Sequence, residues 1–459
     1  MMFSPDLSDV AKMSRTFAIK TYGCQMNVYD ADKLRTVLKF MGWDELSDSQ
    51  DPDLVIITGC SVRAKAEQKV WSELGLFEKS WQKNHRPCVA LTGCVAQRLG
   101  VRALARFPWV RLVAGPRHIG QIPKNLEQVL ENRKLRVNLL DTDPREFFAL
   151  DFNFDDSNAE ILRENKYKAY ITIAHGCDNF CTYCIVPYVR GRFVSRKSED
   201  IINEARALLH DGVLEITLLG QNVNSYGKDS GEMRFSDLLL KVANLHSEGL
   251  RRLRFVTSLP QDFTEDIVEV MASEPVICPS LNLPVQSGSN RVLKLMNRKY
   301  TREEYLEKVD FTRAKVPDLG LTTDLIVGFP DESESDFEDS LRILREVRFD
   351  LVHSAAYSER DGTPAAKMSG ALPVEERLQR LTHLNELQDS ITLDINQKLV
   401  GREFEILVDA PAPKGENLLQ GRTPSDKVVI FAGDPDLIGK FVNVKITQAE
   451  AWCLHAELL

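Results

Sequence analysis

Short apolar, β-branched runs alternate with amphipathic stretches along this chain, and the texture of the alternation divides it into three. From about residue 15 to 132, FAIKTYGC, DLVIITGC and CVALTGC each run from apolar residues into Gly and then Cys, and a helical pattern follows each. Strand then helix, repeated, predicts a parallel α/β sheet. Sites in open parallel sheets lie outside the carboxyl ends of the strands, where Cys24, Cys60 and Cys94 fall. A glycine before each cysteine allows a sharp turn and a close approach.

From 161 to 396 strand-like runs (YKAYITIAHGC, VLEITLLG, LRRLRFVTS, LTTDLIVGF) again alternate with helical patterns. Residues 198–210 read as an amphipathic helix with Ser198 as N-cap. Thr301 and Glu304 form a capping box, and Ser333 opens a further helix. Repeated βα units predict a full or partial TIM-type barrel with its site at the strand carboxyl ends. Val374, Leu378, Leu381, Leu384, Leu387, Ile391 and Ile395 recur at helical spacing and predict a core-facing stripe. The stretch 141–160, acidic and aromatic without clear period, reads as a linker. From 399 to 459, GREFEILVDA, NLLQGRT, KVVIF and KFVNVKITQA are short strands broken by Gly, Pro and Asp, which predicts a small all-β barrel. The expected class is α/β with an appended β barrel.

Composition changes this picture little. With 459 residues, 43% hydrophobic and 27% charged, the chain fits a multidomain globular protein. No apolar run reaches the roughly 20 residues of a membrane span, and MMFSPDLSDVAKMSR lacks the apolar core of a signal peptide. A cytoplasmic setting without a membrane is expected, where nine Cys point to metal or redox chemistry instead of disulfides. The net charge of −9 argues against nucleic-acid binding taken alone, but it constrains steering and not local contacts. Arg190, Arg192, Arg196 and Lys197 form one basic cluster; Arg251, Arg252 and Arg254 form another, which reads as a solvated face. The C-terminal segment has six Lys/Arg against nine Asp/Glu, so RNA contact there must use local groups such as Arg402, Arg422 and Lys427. A purely structural barrel is the alternative. No G-x-G-x-x-G or Walker-type loop is present.

The most specific signal is Cys177, Cys181 and Cys184, a C-x3-C-x2-C run. An iron–sulfur cube takes four ligands, so three cysteines leave one iron open for substrate. Zinc would favour paired C-x2-C units and a fourth Cys or His, and His175 sits at an odd spacing for that. Ligand count and spacing favour iron–sulfur. Cys24, Cys60 and Cys94 form a second three-cysteine set; three small hydrophobes at strand ends is the bland alternative, which their shared context disfavours. Cys88, Cys278 and Cys453 lack that context and read as buried or incidental thiols.

These residues together resemble the methylthiotransferase family of radical S-adenosylmethionine (SAM) enzymes, from about Arg15 onward. Gly-Cys-Gln-Met-Asn at 23–27, Cys-Ser-Val-Arg at 60–63, Gly-Cys-Val-Ala-Gln at 93–97, LLGQNVNSY at 218–226, LPVQSGS at 283–289, MNRKYT at 296–301 and DLIVGFP at 324–330 carry the resemblance. It implies a methylthiotransferase N-terminal domain (15–132), a radical SAM core (161–396) and a TRAM-like RNA-binding barrel (399–459). It implies two [4Fe-4S] clusters and S-adenosyl-L-methionine as cofactors: Cys177, Cys181 and Cys184 for the SAM-binding cluster, Cys24, Cys60 and Cys94 for an auxiliary one. Tyr183, Gly220, Gln221, Asn222, Gln286, Ser287 and Asp324 would meet SAM, with turn and cap roles equally open, and Arg190 and Arg192 would meet phosphates. The implied reaction puts a methylthio group on C-2 of an isopentenyl-modified adenine beside the tRNA anticodon. That unactivated C–H offers acid–base and nucleophilic catalysis nothing to grip. Implied partners are the tRNA anticodon loop, a reducing electron donor and a cluster or sulfur supply. Rival readings are methylthiolation of a ribosomal protein side chain or of threonylcarbamoyladenosine, a non-catalytic iron–sulfur redox sensor with an RNA-binding barrel, and a zinc-dependent binding module. Gln25-Met26-Asn27 disfavours the first two.

Overall fold

The computed structural model describes residues 15–46, 51–62, 64–132, 134–141 and 162–459. The linker expected at 141–160 lies outside them apart from Asp141, as do Arg63 and the first 14 residues. The described residues fall into two compact units, one up to Asp141 together with 162–163, the other Glu164–Leu459.

The first unit is a six-stranded sheet of β1 (Thr16–Tyr22), β2 (Asp44–Glu45), β3 (Leu54–Gly59), β4 (Cys88–Thr92), β5 (Val110–Ala114) and β6 (Val137–Leu139), ordered β2-β1-β3-β4-β5-β6. Every pairing is parallel. The central strand β3 is buried throughout, and its side chains alternate between two cores. Leu54 and Ile56 join Phe17, Leu34, Leu38 and Leu126 on one face. Val55 and Ile57 join Val70, Leu74, Val95 and Leu99 on the other. That period of two is what a strand covered on both faces requires. Between β1 and β3 the strand order reverses, which creates the crevice where such sheets bind ligands.

The second unit begins with β7 (Lys168–Thr172), β8 (Ala174–His175) and β9 (Val194–Ser195), followed by β10 (Glu215–Leu219) and β11 (Arg252–Phe255). Then come β12 (Ser280–Asn282), β13 (Gly320–Val327) and β14 (Leu351–Ala356). Two parallel three-stranded sheets, β11-β10-β7 and β12-β13-β14, are joined by a single bridge from Leu253 to Ile277. Among the described residues β7 and β14 stay as edges, so the barrel is partial. Thr301 and Ser333 cap their helices with full capping boxes. The helix at 198–210 starts one residue early: Lys197 is the N-cap and Ser198 is already helical.

The helix Val374–Gln397 corrects the expected apolar stripe. Val374 and Leu378 are exposed, and the buried face mixes Leu384 and Ile391 with Arg380, Gln388, Thr392 and Asn396. These polar groups are engaged: Gln388 donates to the Phe349 carbonyl, and Arg380 reaches Glu332 at 2.7 Å.

The C-terminal strands β15 (Glu403–Pro411), β16 (Leu418–Arg422), β17 (Val428–Ala432), β18 (Phe441–Ala449) and β19 (Leu454–Leu458) close a barrel ordered β15-β16-β17-β19-β18. Ile406, Val408, Leu419, Val429, Phe431, Val444, Ile446 and Leu454 fill it. Its attachment to the core overturns the solvated reading of the second basic cluster. Arg252 and Arg254 are only 4% and 6% exposed. Arg252 donates to the carbonyls of Arg422 and Glu405, and Arg254 to those of Thr423 and Pro424. Between them lies the buried Glu215 carboxylate. Burial pushes its pKa up, but Arg254, Lys168 and Arg252 outweigh burial and hold it below the usual value.

Candidate functional site

In the first unit the three strand-end cysteines meet at the topological switch point. Cys24 follows β1 and is the N-cap of helix Gln25–Phe40. Cys60 follows β3, and Cys94 opens helix Cys94–Arg106 after β4. Helix N-termini favour thiolate, the form that ligates metal. Cys60 N–H donates to the Tyr22 carbonyl, which brings the first two turns together. A Cβ on Gly23 would lie 2.4 Å from Cys60 Cβ, and one on Gly93 (φ +83°) 2.8 Å from the Gly59 carbonyl oxygen. Cys60 is pushed far up by its hydrogen bond to Cys24, then by burial and by the neighbouring Cys94. Three sulfurs crowd one site. Asn27, fully buried, braces it: its Oδ1 accepts from Cys24 Sγ at 3.3 Å and its Nδ2 donates to Thr58 Oγ1 at 2.9 Å.

In the second unit Cys177, Cys181 and Cys184 lie in the loop after β7 and β8. Gly176 (φ +73°) is obligatory, since a Cβ there would sit 2.0 Å from the Arg192 carbonyl oxygen. Other strand connections pin the loop. Gln261 donates to Asn179 Oδ1, Asn297 to the Phe180 carbonyl, Thr182 N–H to the Met296 carbonyl, and Ala365 N–H to the Thr182 carbonyl. Arg298 Nη1 donates to Cys181 Sγ at 3.4 Å and Asn179 Nδ2 to Cys177 Sγ at 3.3 Å. Burial, then the other thiols of the set, pushes Cys184 up to about 12; burial also raises Cys177. Arg298, Asn179 and Gln261 were missed as site residues; only Arg298, inside MNRKYT, carried a signal.

Buried thiols that resist ionisation, as Cys60, Cys177 and Cys184 do, need a multivalent cation beside them to become thiolates. His175 is buried, and burial, then Arg190 and Arg196, lowers its pKa well below normal.

Polar groups collect at the same strand ends. The buried atoms Thr172 Oγ1, Asn222 Oδ1 and Ser258 Oγ, at the ends of β7, β10 and β11, have no hydrogen-bond partner among the described residues. A polar ligand is what such a set accommodates. Asn222 Nδ2 is occupied by Ser225 and Asp262. Gly220 and Gln221 sit beside it, after β10. Tyr183 packs edge-on to Phe329, centroids 6.4 Å apart. Gln286 holds φ +73° while its backbone bridges to β13, a strained conformation of the kind that collects at functional sites. Asp324 lies half-buried on β13 and accepts from Asn282. Ser287 is fully buried and serves the turn, accepting from Ser289 N–H.

The cations expected at phosphates separate. Arg190 is buried. Arg192 is half-exposed and bidentate to Asp178, inside the cysteine loop. Lys427 is drawn inward to Asp350 at 2.6 Å and Asn396, a docking role in place of the expected RNA contact. Arg402 pairs with Asp318, and Arg422 with Asp426. The incidental reading of Cys453 also changes, since it neighbours Glu450 and His455.

Residues 16–115 match the uncharacterized protein family UPF0004, 171–344 the Radical SAM superfamily and 397–459 the TRAM domain. The chain is similar to tRNA-2-methylthio-N(6)-dimethylallyladenosine synthases. One, from Carboxydothermus hydrogenoformans, is 43% identical over 97% of this chain and 99% of the relative. Another, from Aquifex aeolicus, is 42% identical over 97% and 99%. Among solved structures, the radical SAM methyltransferase TsrM from Kitasatospora setae aligns with TM-score 0.58 at 15% identity, covering 89% of this chain and 81% of that one, a likeness of fold. No helix among the described residues is long and apolar enough to cross a membrane. Full-length identity above 40% to such relatives, joined to these cysteine sites, establishes that the chain belongs to the radical SAM tRNA methylthiotransferase family, in the branch of the tRNA-2-methylthio-N(6)-dimethylallyladenosine synthases.

Proposed function

We propose that this chain methylthiolates C-2 of isopentenyl-modified adenosine beside the tRNA anticodon, in the cytoplasm, using two [4Fe-4S] clusters. The observation that carries this is the second cysteine site, at the crevice between β1 and β3, because a radical SAM core alone has no place for a transferable sulfur. When bound, the clusters and SAM supply a carbon-centred radical, a methyl group and a sulfur. Cys177, Cys181 and Cys184 would hold one cluster, leaving a coordination position open for SAM; Cys24, Cys60 and Cys94 would hold the other. Arg298 and Asn179 orient and stabilise thiolate at Cys181 and Cys177 by donating to them. Asn222 and Ser258 offer unpartnered oxygens to a polar ligand, and Asp324 a carboxylate to its cationic or hydroxyl groups. Tyr183 offers an apolar edge for the adenine of SAM. Gln286 would hold its strained turn at the same end, and Gly220 and Gln221 would let backbone approach the ligand. Arg192 is the cation of the cysteine loop best placed to meet a phosphate of a splayed anticodon loop. An external electron donor and a sulfur supply complete the cycle.

Mass spectrometry of tRNA nucleosides from cells lacking the protein tests the reading. The methylthio nucleoside should vanish, the isopentenyl precursor accumulate, and the wild-type chain but not Cys177→Ala restore it. Persistence of the methylthio form in the null strain would overturn the substrate. Restoration by Cys177→Ala would favour the redox sensor.

A further inference from the structure

Cys453 belongs to neither triad. It lies at the hairpin end between β18 and β19, in the C-terminal barrel. The turn is tight: Glu450 N–H donates to the Cys453 carbonyl at 2.9 Å. Asn396 Nδ2, from the last turn of its helix, donates to the carbonyls of Glu450 and Ala451 and ties the hairpin to the core. Cys453 and His455 are alternate residues of one extended run, so their side chains share a face.

Donor atoms of three different side chains converge there. Glu450 Oε1 is 3.1 Å from His455 Nε2, Cys453 Sγ is 3.7 Å from Glu450 Oε2, and Cys453 Sγ is 3.9 Å from His455 Nε2. A tetrahedral zinc with bonds of about 2.3 Å to sulfur and about 2.0–2.1 Å to nitrogen and oxygen sets its ligands about 3.3–3.6 Å apart. The three contacts, 3.1, 3.7 and 3.9 Å, bracket that spacing with the two carboxylate oxygens shared between them, and one ligand atom of each residue lies within 4.8 Å of the others. An ordinary surface Glu–His pair would explain the 3.1 Å contact. It would not bring a thiol to the third corner.

We propose that Glu450, Cys453 and His455 form a site for a zinc-type divalent cation, with water as fourth ligand. One sulfur, one imidazole nitrogen and one carboxylate select a borderline metal over Mg2+ or Ca2+, which take oxygen ligands. Glu450 and His455 keep 56% and 36% side-chain exposure, so the fourth position faces solvent. On binding, the Cys453 thiol releases its proton to solvent and His455 ligates as the neutral base. The ion would fix the tip Ala451-Trp452, whose indole is 66% exposed. The site is independent of the iron chemistry, because none of its ligands belongs to either triad.

Zinc bound by the full-length protein, anaerobically loaded with iron and sulfide, tests this. After incubation with Zn2+ and gel filtration, wild type should retain about one zinc per chain. Cys453→Ser and His455→Gln should each lower it at least fivefold with iron unchanged, and Cys278→Ser should not. No retained zinc in wild type, or zinc in both variants equal to that of wild type, overturns the site. A Cys278→Ser variant that loses as much zinc as Cys453→Ser and His455→Gln overturns it too, since Cys278 is not a ligand.

Discussion

Arg298 has no signal of its own in the spacing of the triad, yet its guanidinium donates to Cys181 Sγ at 3.4 Å. With Nη1 donating to Cys181 Sγ and Nη2 to the Pro284 carbonyl, it is a buried cation whose natural counter-charge is thiolate. Arg298→Met keeps the volume and removes the charge. A charge-assisted hydrogen bond is worth about 1.5–3 kcal/mol, so cluster affinity at this triad should fall roughly tenfold or more. Iron per chain, measured in a Cys24→Ala/Cys60→Ala/Cys94→Ala background, checks it; full iron would refute it. Arg192 belongs to the same scale. Its pairing with Asp178 is half-exposed and worth about 0–1 kcal/mol. Arg192→Gln should therefore leave iron unchanged, while tRNA affinity drops several-fold and its salt dependence flattens by about one charge. Unaltered affinity would leave Arg192 as a loop clamp only.

At the scale of elements, the cysteine loop is shaped by backbone as much as by ligands. Gly176 and Gly212 both hold positive φ, +73° and +86°, but only Gly176 faces backbone. Gly212→Ala should cost about 1 kcal/mol, the conformational penalty alone. Gly176→Ala adds a collision with the Arg192 carbonyl and should abolish iron binding at the triad. Iron content and the thermal midpoint of the two variants, compared side by side, decide this. Capping was legible at Thr301 and Ser333 because it is local: the acceptor and the acidic partner lie three residues apart. The helix Val374–Gln397 was misread because its polar face is buried. Period identifies a face, but what that face meets depends on Phe349 and Glu332, far away in sequence.

At the scale of the molecule, the docking of the C-terminal barrel rests on Arg252 and Arg254. Truncating either strands Glu215 without full compensation, a cost of about 3–5 kcal/mol for a buried charge. Arg254→Met should lower the melting temperature and expose the barrel to limited proteolysis near residue 399; an unchanged digestion pattern would contradict this. Glu215 also sets a pH dependence. Its folded pKa lies below the ordinary glutamate value of 4.5, so its contribution is present above that pH and disappears as pH falls through the folded value. Stability should therefore drop on acidification below about pH 4.5. Glu215→Gln should lessen that acid limb, as melts from pH 3 to 7 would reveal; an undiminished limb would assign it to other carboxylates.

The sequence by itself determined the order of elements, the three Gly-Cys strand ends and the C-x3-C-x2-C loop, because strand period, turn glycines and ligand spacing are local properties. It also carried the family, since those motifs recur together. Tertiary structure alone decided the fate of the charges. Arg252 and Arg254 reach carbonyls 153 to 170 positions away, and Lys427 finds Asp350. In sequence such residues are indistinguishable from a solvated basic face. Burial and pairing are relations between distant segments, fixed only once the barrel is closed and docked. The same holds for Glu450, Cys453 and His455, whose meaning lies in the 3–4 Å between their donor atoms and not in their spacing.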